Sequence, residues 1–306
     1  MGCCCALLGK TVAGIDGGMS AFSAEWLDLR EPADVAARAP ELIERLVQWS
    51  DGCEHIAVVD LGAGTGSCLR ALAPDIVSSQ TWRLIDRSGT LLQEANTRLS
   101  AWGHDRGLST QEMHNCWRAM GKGVDYRVVF DARDLGAGFN NIALPVDLVT
   151  VSALLDLVSE VWCRDLARWC SVVGATLYTC LNYDGKFHFT PSHPDDHDVC
   201  DAINQHQRRD KGMGPALGSD AIRVLLRELA IVGYQSVTAP SPWLLGPDNG
   251  TLQGTLVRGW SNLAGGEGEE CSERVSRWRS FRLAAIEACQ SYLNVGHVDL
   301  WAWPER

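Results

Sequence analysis

Two periods of apolar residue alternate along the chain, short branched runs and longer helical stripes, and their alternation predicts an α/β fold. The run Ile56 to Val59 is too short and too branched for a helix and reads as a buried parallel strand. Similar runs follow at 81–86, 126–130, 147–151, 175–181 and 234–239, with a last strand from Val298 to Trp303. That last run alternates polar and apolar positions, as an edge or antiparallel strand does. Between the strands, apolar residues recur at helical spacing. A helix is predicted from Trp26 to Trp49, with Pro32 early in it and Leu42, Ile43, Leu46 and Val47 on one face. Further helices follow Gly66 (Cys68, Leu69, Leu72), Ser88 (to about Trp102), Ser159 (to about Cys170) and Ser219 (Ile222, Leu225, Leu229). Two more are predicted at about 249–263 and 272–292, separated by Gly265-Gly266-Glu267-Gly268.

Strands alternating with helices imply a doubly wound, mostly parallel sheet, with ligands at the carboxyl ends of its strands. Residues 1–24 carry little periodicity and read as a tail, and 25–306 read as one domain with cap insertions at about 103–123, 183–218 and 249–292. Within the first insertion, Ser109-Thr110-Gln111-Glu112 matches a capping box and predicts a short helix.

Composition narrows the partners. A net charge of −11 argues against a phosphate backbone as the main substrate. No apolar run approaches 18 residues and no secretory signal is present, so the expectation is a protein neither exported nor membrane-spanning. The twelve cysteines are scattered, and Cys68, Cys163, Cys170, Cys180 and Cys289 fall inside predicted elements. They read as buried free thiols in a reducing cytoplasm. Met1-Gly2-Cys3 begins like an acylated terminus, but Ala6 stands where that pattern has Ser or Thr.

The chemistry centres on Asp60-Leu61-Gly62-Ala63-Gly64-Thr65-Gly66. Three glycines let the backbone turn tightly and approach a ligand where a Cβ would collide. The second strand ends in Asp86, placed to accept hydrogen bonds from ribose hydroxyls, with Arg87 beside it. Asp131, Ser152 and Asn182 stand at the ends of later strands. A dinucleotide fingerprint needs a third glycine where Ser67 stands, because glycine there lets helix and strand pack around a pyrophosphate.

With G-x-G-x-G after Asp60, and Asp86 at the next strand end, the chain resembles the class I S-adenosylmethionine-dependent methyltransferases over roughly residues 25–303. The resemblance implies seven strands in the order 3-2-1-4-5-7-6, the last antiparallel. It also implies S-adenosyl-L-methionine as cofactor. Gly62, Ala63, Gly64 and Gly66 would lie under its methionine part, with Asp60 holding the loop or meeting the amino group. Asp86 would bind the ribose, Asp131 with the Ala132 backbone the adenine, and Ser152 would line the cofactor. Asp134 could take the role of Asp131. Arg38 could offer its planar fork to the cofactor carboxylate, with a solvated surface position as the competing reading.

Methyl transfer from a sulfonium needs alignment and exclusion of water, and a base only when the acceptor must lose a proton. The candidates for that work are Asp156, Tyr183 and His188, with Asp210 and Lys211 in an insertion that could be a lid. Metal binding is not expected: His193 and His197 are four apart, but Pro194 opposes a helix spanning both. Ser152-Ala153-Leu154-Leu155 departs from the N-P-P-Y-like tetrapeptide of amino-methyltransferases acting on nucleic-acid bases or glutamine. The expected activity is therefore methyl transfer to a small metabolite. A non-catalytic cofactor-binding partner or regulator would carry the same loop, and a nicotinamide oxidoreductase is disfavoured by Ser67.

Overall fold

The computed structural model describes residues 23–77, 79–265 and 273–305. The N-terminal cysteines and most of the Gly265–Gly268 linker lie outside them.

β1 (Ile56–Leu61) is buried at every position and pairs in parallel with β2 (Ser79–Asp86) on one side and β6 (Leu148–Ser152) on the other. β5 (Val124–Ala132) extends the sheet beyond β2, and β7 (Thr176–Thr190) beyond β6, both in parallel. β10 (Tyr292–Pro304) runs antiparallel between β7 and β8 (Tyr234–Pro240). Counting only the strands expected from the sequence, the order is 3-2-1-4-5-7-6 with the last strand reversed. Among the described residues the sheet has ten strands: β3 (Ser109–Met113) and β4 (Cys116–Gly121) add an antiparallel hairpin beside β5, and β9 (Trp243–Leu245) pairs with β10.

The hairpin overturns the helix expected at Ser109-Thr110-Gln111-Glu112. That stretch is the polar edge strand β3, and Trp117 and Ala119 on β4 supply the buried face it leans on. The leading helix is also two, α1 (Ala24–Ala37) and α2 (Pro40–Ser50), because a residue before proline is pushed to extended backbone. Arg38 and Ala39 form the joint, with ψ of 133° and 113°. α3 (Ser67–Leu72) and α4 (Gly89–Asp105) follow the glycine turn and β2. The Ser88 hydroxyl caps α4 by accepting from Leu91 N. α5 (Glu160–Val173) is capped by Ser159 in the same way.

The fifth strand does not stop near Leu181 but runs on to Thr190, so only 191–217 leaves the sheet before the next turn. That excursion carries α6 (Asp196–Gln207). Ser219 lies in a short 3-10 turn, Gly218–Asp220, and does not cap α7 (Ala221–Ile231). α8 (Gly250–Ala264) and α9 (Glu273–Glu287) pack on each other and on the extended end of β7. There Trp260 stacks on Phe187 at 4.4 Å, and Arg282, fully buried, reaches Asp196 and the Pro191 carbonyl. Cys68, Cys163, Cys170 and Cys180 are buried free thiols, whereas Cys289 falls past the end of α9 and is exposed. No helix among the described residues is long and apolar enough to cross a membrane.

Candidate active site

β1 ends in a turn where Gly62, Gly64 and Gly66 all have positive φ (72°, 54° and 76°), a conformation that strains any other residue. At Gly62 space is also short, because an added Cβ would sit 3.0 Å from Leu154. Two hydrogen bonds from the Gly62 and Ala63 amides to the Ile85 carbonyl fasten the turn to the end of β2. Asp86 completes the fastening. One carboxylate oxygen accepts from Gly64 N at 2.9 Å and the other from Ser88 N at 2.8 Å. Arg70 on α3 braces the turn from outside, donating to the Thr65 carbonyl and to both Glu31 oxygens on α1.

Two cavities meet over this turn, with Gly62 in the wall of both. The first is walled by Asp86, Arg87, Ser88 and Leu91 on one side and by Asp134, Leu135, Leu154 and Leu157 on the other, and Lys211, Gly212 and Met213 close over it. The second lies beneath α1, between Leu27, Arg30 and Asp34 on that helix and Asp60, Ala63, Gly64, Cys68 and Ser152. A third and more open cavity of about 440 Å³, walled by Trp49, Trp301 and Trp303 with Asp147 and Thr176, lies at the amino ends of β6 and β7, the opposite end of the strands from these groups.

Asp60 is the acidic centre of the second cavity. One of its oxygens accepts from Thr150 Oγ1 at 2.7 Å, and the other is buried with no protein partner. Burial pushes its carboxyl up to about 6, opposed by the Thr150 hydrogen bond. Asp86 is likewise raised by burial, against the pull of the Ser88 and Gly64 amides.

Asp156 follows β6 in a 3-10 turn, Leu155–Leu157, with 1% exposure and both oxygens unpartnered. Burial pushes it up to about 6 as well. The charges of Arg30 and Lys211, one in the wall of each cavity, oppose that rise and place Asp156 within their field.

The other residues expected at the site are placed less uniformly. Ser152 lines the second cavity and lies 3.3 Å from Cys180 Sγ. Asp131 is ion-paired with Arg133 at 3.0 Å and Arg83 at 3.5 Å, and Ala132 is exposed. Asp134, rather than Asp131, stands in the cavity wall, its carboxylate accepting from Gly136 N. Tyr183 is buried, edge-on to the His297 ring at 6.2 Å. His188 does not face the cleft. It lies on the exposed side of β7 opposite Asn294, because the longer strand alternates Phe187 and Phe189 inward and His188 outward. Arg38 reaches neither ligand nor solvent; it is buried at the α1–α2 joint with its guanidinium 2.7 Å from Cys180 Sγ. His193 and His197 each face a nearby aspartate, Asp195 and Asp201.

Sequence reasoning missed a buried set behind α1. Arg30 donates to Asp34 at 2.6 Å and lies over the Trp243 ring at 5.5 Å. Trp243 Nε1 in turn donates to Asp34 at 3.1 Å, and its ring meets His297 at 5.1 Å. Burial pushes the His297 imidazole down to about 3, so it is neutral at pH 7, and its Nδ1 has no partner. Only the i, i+4 spacing of Arg30 and Asp34 hinted at this set.

No protein-family model and no curated protein sequence matches the chain. Among solved structures, a methyltransferase from Thiobacillus denitrificans in complex with S-adenosyl-L-homocysteine is similar, at 17% identity and a TM-score of 0.44, over 93% of this chain and 99% of that one. A putative methyltransferase from Bacillus halodurans gives 13% and 0.48 over 86% and 99%. One from Geobacter sulfurreducens, also in complex with S-adenosyl-L-homocysteine, gives 16% and 0.43 over 92% and 99%. Likeness at this level does not say which reaction a chain performs. The strand order, glycine turn and acidic strand end seen here give the chain the fold of the class I S-adenosylmethionine-dependent methyltransferases.

Proposed function

We propose that this protein transfers a methyl group from S-adenosyl-L-methionine to a small-molecule acceptor. One observation carries the choice of cofactor: Asp60, a buried carboxylate with one oxygen unpartnered, lines the same cavity as Gly62, Ala63 and Gly64 of the glycine turn. A buried carboxylate there repels a pyrophosphate and attracts the ammonium group of a methionine tail. A nicotinamide dinucleotide would have to place its phosphates against that charge.

The residues fit the nucleoside in the same way. Asp86 spends each oxygen once, on Gly64 and Ser88, and keeps lone pairs for ribose hydroxyls. Leu91, Leu135 and Leu157 provide apolar walls for a base, with Asp134 at the rim. Arg30, held by Asp34, presents a charge to a carboxylate from the α1 side. Bound S-adenosylmethionine supplies a methyl group already activated on a sulfonium. What the chain adds is alignment over Gly62, exclusion of water by Lys211–Met213, and a proton acceptor. Asp156 takes that last role, receiving the acceptor's proton on a carboxylate oxygen. Closure of the first cavity by Lys211–Met213 favours an acceptor small enough to enter beside the cofactor.

Ligand-induced stabilisation tests the cofactor. At ~100 times its dissociation constant, S-adenosylhomocysteine is expected to add ~2.7 kcal/mol to stability, and NADH nothing. Asp86→Ala is expected to weaken S-adenosylhomocysteine about tenfold or more, since hydrogen bonds to a charged group are worth ~1.5–3 kcal/mol. Stabilisation by NADH alone would refute the assignment. Turnover is read as S-adenosylhomocysteine released on adding a cell-extract ultrafiltrate. Activity confined to the retained macromolecules would overturn the small acceptor, and none with either fraction would favour a binding-only protein.

A further inference from the structure

The third cavity lies at the amino ends of the strands, and the proposed methyl transfer makes no use of it. Its volume of about 440 Å³ is that of a small-molecule site, for which roughly 300–1,000 Å³ is usual. Two elements build it through their own periodicities. On α2, Arg45, Gln48 and Trp49 stand at i, i+3 and i+4 and so share one face. On β10, Trp301 and Trp303 stand two apart and point to the same side. Trp49 and Trp301 meet edge to face, their rings 5.7 Å apart and inclined at 71°. Tyr178, itself buried, lies 6.2 Å from Trp301 and fixes that ring further. The corner of indoles is thus set before any ligand arrives.

Two charges of opposite sign share the wall, and neither is spent on the other. Arg45 lies over the Trp303 ring, 5.6 Å from its centre. Asp147 is pinned just ahead of β6. Its Oδ2 accepts from Ala57 N at 2.8 Å, and its carbonyl accepts from Thr176 N at 2.9 Å. The carboxylate still has lone pairs to offer. Both charged residues are exposed, Trp49 and Trp303 are half-buried, and Trp301 is buried.

We propose that this cavity binds a flat aromatic molecule carrying both an acidic and a basic group, the simplest being an aromatic α-amino acid. The indoles receive the ring, since aromatic pairs gain from offset or edge-on contact beyond the area they bury. Arg45 meets the carboxylate, whose two oxygens its planar fork matches. Asp147 meets the ammonium. A ligand with only the carboxylate would place it in the field of Asp147, and one with only the ammonium would place it beside Arg45. At this exposure the two charges set selectivity, and the rings supply most of the affinity. Nothing in this assignment rests on the proposed cofactor, whose groups lie at the other end of the strands.

Isothermal titration of the full-length protein with L-phenylalanine and L-tryptophan tests it. The comparison probes are 3-phenylpropionate and phenethylamine, each lacking one of the two charges. At least one amino acid is expected to bind with a millimolar or tighter dissociation constant, and both comparison probes about tenfold or more weakly than it. Arg45→Ala is expected to weaken the amino acid by about the same factor while leaving phenethylamine no weaker. Trp303→Ala is expected to remove binding. Saturating S-adenosylhomocysteine is expected to leave the amino-acid affinity unchanged. Failure of both amino acids to bind at millimolar concentration overturns the proposal. So does equal binding of either comparison probe, which would mark an apolar slot without charge recognition. Binding that survives Arg45→Ala, or that S-adenosylhomocysteine displaces, assigns the amino acid to another cavity and overturns it as well. Arg45 is exposed, so its variant decides even if Trp303→Ala fails to fold. If S-adenosylhomocysteine itself does not bind, the cofactor reading fails and the amino-acid titrations still decide this site.

Discussion

Asp156→Asn is expected to stabilise the ligand-free protein at pH 7 while slowing methyl transfer by about 100-fold or more, the usual contribution of a positioned base. Both Asp156 oxygens are buried without partners, and burial lifts the group from 3.8 to about 6. That rise disfavours the ionised form by ~3 kcal/mol, at ~1.36 kcal/mol for each tenfold change in proton affinity. Because the folded value is the higher one, folding takes up a proton as pH falls from about 6 to about 4. The penalty is therefore complete above pH 6, shrinks through that window, and vanishes below it. An asparagine amide avoids the charge but leaves a buried polar group unpaired, at a cost of ~1 kcal/mol or more. The net gain at pH 7 is about 2 kcal/mol, and at pH 4 the variant is level with wild type or below it. Urea unfolding of both proteins at the two pH values measures this directly. A variant less stable at pH 7 would mean that Asp156 has a partner in solution. In the wild-type protein, if Asp156 takes the acceptor's proton as proposed, turnover is expected to rise with pH through about 6 as that carboxyl ionises.

Asp299→Ala is expected to destabilise the protein by about 4 kcal/mol, a loss large for a single side chain. This carboxylate accepts from Leu181 N at 2.8 Å, Ala39 N at 3.1 Å, Tyr178 Oη at 3.1 Å and Ser241 Oγ at 2.5 Å. The two hydroxyls can turn elsewhere, but the two amides cannot, and each stranded amide costs ~1–3 kcal/mol. Burial raises the carboxyl of Asp299, so removing the charge returns part of the loss. Leu181 holds a left-handed φ of 58°, and Ala39 is the α1–α2 joint, so the same substitution loosens the roof of the second cavity. Asp299→Asn keeps an acceptor in place and is expected to cost less. A denaturation midpoint for Asp299→Ala within 1 kcal/mol of wild type would show that water or neighbouring groups replace these bonds.

The parts of this molecule that can be read from sequence are those decided within a few residues. The G-x-G-x-G turn and Asp86 form one hydrogen-bonded unit, and each residue type is demanded locally by φ or by an amide to be satisfied. Ser109-Thr110-Gln111-Glu112 shows the opposite case. Its S-x-x-E spacing suits a helix start, yet the same residues suit a solvent-facing edge strand, and pairing with Cys116–Gly121 settles the matter. His188 falls outside the cleft for a different reason. Residues 187–189 read Phe-His-Phe, a period of two that continues the strand, but the polar residues around them suggest a loop. The break before Pro40 is also visible locally and is masked by the apolar stripe running through it. No local signal marks Arg38, whose sulfur partner is 142 residues away in the chain.

The segment from Arg208 to Leu217 has no regular secondary structure, and its Lys211, Gly212 and Met213 form one wall of the cavity that Asp86 lines. Arg208 and Arg209 are exposed, Lys211 is partly so, and Gly212 and Gly214 both take positive φ. A protease that cuts after basic residues therefore meets three closely spaced target bonds on a piece of chain that a bound nucleoside would hold down. Cleavage there proceeds through local opening, so its rate reports how often this wall lifts. Trypsin is expected to nick the free protein first at this point, and saturating S-adenosylhomocysteine to slow that nick about as much as it suppresses the opening. The wall formed by Lys211, Gly212 and Met213 is thus also the chain's most direct proteolytic readout of occupancy.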